Sequence, residues 1–131
     1  MKAHPVLTAH GALSRGVFAV AVLVSLAVLF APGHDVPSAP PGVDKLVHLA
    51  LFAALALTGR WAGVRARQLA ILLAAYAVAS ELIQALTPLD RDGSLLDGLA
   101  DVVGIALGLT IWSVAARSAL RRNRGPGNLT G

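Results

Sequence analysis

The segment SELIQALTPLDRDGSLLDGLADVVG, residues 80–104, carries Glu81, Gln84, Asp90, Arg91, Asp92, Ser94, Asp97 and Asp101 between two stretches of nearly pure hydrocarbon. A second polar group, Asp44, Lys45 and His48, opens the upstream run DKLVHLALF. Each residue type suggests a chemistry, and each has a plainer alternative. His48 titrates near neutral pH and suits proton transfer, or it is a hydrogen-bond partner that closes a helix contact. Glu81 stands inside an apolar run, where an ionisable group is a functional hypothesis by default, or it forms a structural salt bridge to Lys45 or Arg91. Arg91 offers the planar fork that grips phosphate or carboxylate, yet Asp90 and Asp92 beside it fit a turn with local ion pairs. Ser94 has no base placed by sequence to activate it as a nucleophile. Its position suits a helix cap, with Asp97 completing a capping-box-like arrangement. A histidine with several carboxylates has metal-ligand chemistry. The chain holds neither an HExxH nor a cysteine pattern, so no metal and no cofactor is expected.

These groups need a scaffold, and composition limits what it can be. The chain has 131 residues, 56% hydrophobic and 14% charged, with a mean hydropathy of +0.70. Soluble domains average about 25% charged residues, and a small soluble domain has a large surface to cover with polar groups. The balance points to one membrane domain. There is no cysteine, hence no disulfide framework. The pI near 10.7 would allow a nucleic-acid partner, but the basic residues cluster at the ends of apolar segments, so none is expected.

A helix crosses a bilayer core with roughly 17–25 apolar residues. Four segments meet or approach this: residues 12–31, 44–61, 68–87 and 95–116. The second is the shortest, and reaches Trp61 at the interface. Pro and Gly make residues 32–42 irregular or polyproline-like, and the tail RRNRGPGNLTG is expected to be disordered. Nine of the eleven Lys and Arg (Lys2, Arg15, Arg60, Arg65, Arg67, Arg117, Arg121, Arg122 and Arg124) fall on one side of these spans. All seven acidic residues fall on the other side or in the nearer half of a span. Positive-inside reasoning places both termini in the cytoplasm. The expected fold is therefore all-α: an integral membrane four-helix transmembrane bundle, N-in/C-in. Its parts are a tail at 1–11, a membrane domain at 12–116 and a basic cytoplasmic tail at 117–131 that anchors on anionic lipid. The basic start and apolar core also describe a signal peptide, but LFAPGHD offers no small-x-small cleavage site, so an uncleaved first span is expected.

Helical spacing assigns the polar residues to faces. Asp44, His48, Phe52 and Leu55 share one face of the second span. Glu81 and Gln84 form an i, i+3 pair near the outer end of the third and should face the helices rather than lipid. Asp97, Asp101, Gly104 and Gly108 form one stripe on the fourth. Its glycines permit close helix approach, so the stripe must face another helix and carry both aspartates in with it. The polar groups of three helices thus converge in the extracytoplasmic half.

The pattern DKLVHLALF followed by ELIQALTPLDRDGSLLDGLADVVGIALG resembles the VanZ-like family of membrane proteins. The family's Asp-Lys-x-x-His-x-x-x-Phe falls on Asp44, Lys45, His48 and Phe52. Its second pattern falls on Glu81, Gln84, Pro88, Arg91, Ser94, Asp97, Gly104 and Gly108. Asp101 stands where the family usually has Asn, which sets two carboxylates one helical turn apart; if both ionise they repel, unless Arg91 or Lys45 compensates. The resemblance covers residues 44–108 and the four-span layout. It implies a multi-pass protein of the bacterial cytoplasmic membrane, in a cell-envelope context linked to teicoplanin, a glycopeptide that binds cell-wall precursors. It implies no reaction. The expected role is binding of a cell-wall precursor, a lipid head group or a partner membrane protein through the outer cluster of Asp44, Lys45, His48, Glu81, Gln84, Arg91, Ser94, Asp97 and Asp101. The alternatives are a membrane enzyme acting on an envelope lipid or peptide, with Glu81 and His48 as acid and base and Arg91 as the anion grip, and a purely structural subunit. The binding and structural readings are favoured over the enzyme.

Overall fold

The computed structural model describes residues 10–88 and 93–124. Among them are four α-helices: α1 (Ala12–Leu29), α2 (Val43–Trp61), α3 (Ala66–Leu86) and α4 (Leu95–Asn123). A short 3₁₀ turn, Gly33–Asp35, interrupts the Pro-rich connection expected to be irregular. Helices α1, α3 and α4 are long and apolar enough to cross a membrane, by length and composition. This is consistent with a multi-pass membrane protein. Helix α2 has 19 residues but includes Asp44, Lys45 and Arg60, so this expected span is not one of those three.

The helix ends follow local chemistry. Helix α1 stops at Leu29, two residues short of expectation, because Phe30 leaves the helical region ahead of Pro32. Gly42 adopts φ +90° immediately before α2, a conformation costly for any residue with a Cβ. Helix α4 runs through Asn123 rather than ending near residue 116. Ala, Leu and Arg are good helix formers, and basic residues in the last turn suit the dipole. The first residues of the tail expected to be disordered, Arg121–Asn123, are therefore helical.

Helix α2 packs against α1, α3 and, most extensively, α4. Gly104 and Gly108 make that last contact. A Cβ on Gly104 would collide with the Leu49 carbonyl oxygen, and one on Gly108 would sit 2.6 Å from the Ala53 carbonyl oxygen and from the Ala56 Cβ. The glycine stripe is thus a close-approach surface, as its spacing indicates. The pairing of Leu49, Ala53 and Ala56 with Gly104 and Gly108 makes α2 and α4 run in the same direction. Gly59 near the end of α2 abuts Leu69 near the start of α3. Phe52, Leu55, Ala56, Leu69, Leu73, Ala77 and Ile105 fill the centre. Two polar contacts tie α1 to α3: the Ser25 and Tyr76 hydroxyls are 3.0 Å apart, and Gln84 Nε2 donates to the Leu29 carbonyl at 2.7 Å.

The outward faces are apolar. Val20, Leu23, Ile71, Leu72, Val78, Leu99 and Val114 are all more than half exposed. Contiguous apolar surface of this extent is rare on soluble monomers and ordinary for helices surrounded by lipid.

Candidate functional site

The close approach of α2 and α4 at Gly104 brings together the polar residues one turn earlier on each helix. His48 lies one turn before Phe52 on α2, and Asp101 lies one turn before Ile105 on α4. Both are buried, Asp101 completely. His48 Nδ1 is 2.8 Å from Asp101 Oδ1 and 3.8 Å from Oε1 of Glu81 on α3. Lys45, one turn nearer the start of α2, reaches Asp97 Oδ1 at 3.2 Å and its neighbour Asp44 Oδ2 at 3.0 Å. The two aspartates of α4 therefore face different basic side chains, His48 for Asp101 and Lys45 for Asp97. This arrangement offsets the repulsion that their one-turn spacing would otherwise create.

Most of the expected cluster assembles. Asp44, Lys45, His48, Glu81, Asp97 and Asp101 meet at this end of the helices, and Ser94 joins through its backbone. Glu81 faces inward, as its cost in lipid requires, but its neighbours differ from those expected. Lys45 engages Asp44 and Asp97 rather than Glu81. Glu81 Oε2 instead accepts the Ser94 backbone N–H at 2.8 Å. This replaces the expected capping box: Ser94 is the N-cap residue of α4, yet its side chain makes no cap hydrogen bond. The carboxylate of Glu81 satisfies one of the orphan N–H groups there and clamps α3 to α4. Gln84 does not join the cluster, since its amide is turned toward α1. Arg91 lies outside the described residues.

Among the described residues, three buried carboxylate oxygens accept no hydrogen bond: Glu81 Oε1, Asp97 Oδ1 and Asp101 Oδ2. Asp97 Oδ1 is at ion-pair distance from the Lys45 ammonium, but the geometry is not that of a hydrogen bond. Leaving a buried acceptor unsatisfied costs about 1–3 kcal/mol, more when it is charged. The cluster is poised to accept donors or a cation.

A cavity of about 650 Å³ opens beside it. The end of α1, the connection after it and the start of α2 form its wall, with Val28, Leu29, Val36, Pro40 and Val47 on the apolar side and Asp44 and His48 at the polar edge. Its size is within the range of small-molecule sites, about 300–1,000 Å³. Nothing but the Pro-rich connection signals it at the level of sequence, because apolar cavity walls and lipid-facing residues have the same composition. Chemically, the site offers an imidazole held by one carboxylate and approached by a second, which is acid/base equipment. It also offers acceptor oxygens next to an apolar volume, which is binding equipment. Comparison with protein-family models, with curated proteins and with solved structures finds no match.

Proposed function

We propose that the chain is a VanZ-like protein of the bacterial cytoplasmic membrane, a four-span bundle with both termini cytoplasmic, whose outer cluster binds an envelope amphiphile. One observation carries the binding reading: the apolar cavity and the buried carboxylate cluster meet at His48. An acyl or prenyl chain suits the cavity. A head group bearing hydroxyl, amide or ammonium donors suits the oxygens of Glu81, Asp97 and Asp101 that accept no hydrogen bond. A cell-wall precursor or a membrane lipid has this composition, and sequestering a precursor would lower susceptibility to a glycopeptide that binds it. Charge supports the orientation: Arg60, Arg65 and Arg67 lie between or at the ends of α2 and α3, opposite the acidic cluster, and Arg117, Arg121 and Arg122 lie at the far end of α4.

The test is teicoplanin susceptibility of a sensitive host carrying wild type, Glu81→Gln or His48→Ala at matched membrane levels. Wild type should protect and both variants should not. No protection at full membrane level would remove the glycopeptide role.

A second reading is an enzyme acting on the same amphiphile. The 2.8 Å His48–Asp101 pair with Glu81 at 3.8 Å favours it. It requires substrate-dependent turnover by purified protein, and silence across envelope lipids would count heavily against it.

A further inference from the structure

His48 of α2, Glu81 of α3 and Asp97 of α4 each place one potential ligand atom within 4.8 Å of the other two. His48 is 5% exposed and Asp97 6%. Glu81 Oε1 and Asp97 Oδ1 are both buried without a hydrogen-bond donor. The 3.8 Å between His48 Nδ1 and Glu81 Oε1 is already near the spacing of about 3.4 Å that metal–ligand bonds of about 2.0–2.1 Å set in a tetrahedral site. Acidic clusters on a surface are common without an ion. This one is buried at His48 and Asp97 and partly buried at Glu81, contains an imidazole, and has carboxylate oxygens that accept no hydrogen bond.

We propose that His48, Glu81 and Asp97 form a site for one divalent transition cation of the zinc class. A mixed imidazole and carboxylate set suits such an ion, and three protein ligands leave a coordination position open. Two carboxylates balance its charge, which offsets the cost of holding them ionised away from water. Asp101 Oδ1 holds that same Nδ1 of His48 at 2.8 Å, so an ion at Nδ1 takes the place of this bond, and the Nδ1 proton leaves as the ion enters. Lys45 is the exchangeable counter-charge: its side chain is 37% exposed and already bound to Asp44 on the outer side, so it can leave Asp97 when the ion enters. No single-helix motif announces the site, because each ligand comes from a different helix.

The untagged full chain, purified in detergent, stripped with a chelator, reloaded with Zn²⁺ and desalted, should retain one Zn²⁺ per chain by elemental analysis. Competition with a fluorescent indicator should show binding weakened at least about tenfold by Glu81→Gln and by Asp97→Asn. Lys45→Met should bind as tightly as wild type or more tightly. Failure of wild type to retain zinc overturns the site, whatever the variants do. Retention unchanged in both carboxamide variants overturns the ligand set, and weaker binding by Lys45→Met overturns the counter-charge.

Discussion

His48 Nδ1 lies 2.8 Å from Asp101 Oδ1, across the interface of α2 and α4. The bond stands directly above the place where Gly104 brings the two backbones together. Close packing and the polar cluster are therefore one construction. The glycines set the distance, and the distance permits the bond.

Coupling between His48 and Asp101 should be measurable. A double-mutant cycle with His48→Ala and Asp101→Ala should give an interaction of about 0.6–1.7 kcal/mol, the range for polar pairs between membrane helices. Asp101→Asn keeps an acceptor for the imidazole and should cost less than Asp101→Ala. Unfolding of the full chain in mixed micelles gives these values. A coupling indistinguishable from zero would mean that the pair is only adjacent.

Gly104→Val should lower stability by about 1–3 kcal/mol through overpacking, since its side chain would meet the Leu49 backbone. Gly16→Val supplies the control, because nothing lies within 4 Å of a Cβ there. Thermal melting of both proteins in one detergent checks the contrast. Equal melting temperatures would show that α2 and α4 are not held at this distance.

Much of this was legible from spacing. The stripe of Asp97, Asp101, Gly104 and Gly108 buries as one face because a helix repeats every 3.6 residues. The inward turn of Glu81 follows from the cost of a carboxylate in lipid. Partner choice was not legible. Lys45 could reach Glu81 or Asp97 by sequence alone, and only the rotation of α2 against α4 selects Asp97. Ser94 has the right type and place for a side-chain cap, yet Glu81 from another helix takes its N–H. Gln84 reads as a companion of Glu81, but three residues around a helix is enough to aim it at α1. The extension of α4 past residue 116 is not legible in the sequence, because a falling hydropathy ends a span without ending a helix.

Orientation can be read chemically, because the chain has no cysteine of its own. Ser38→Cys, in the connection between α1 and α2, should react with a membrane-impermeant maleimide on intact cells. Arg65→Cys, between α2 and α3, should react only after permeabilisation. The reverse pattern would invert the proposed topology.

Ligand binding at the junction of cavity and cluster is the central claim, and native mass spectrometry of the gently released full chain tests it most directly. Wild type should carry one amphiphile per chain. Val47→Trp, which fills the cavity beside His48, should lose it, and Glu81→Gln should hold it more weakly. A chain that emerges bare under all gentle conditions, or that keeps the same adduct in Val47→Trp, would contradict the account.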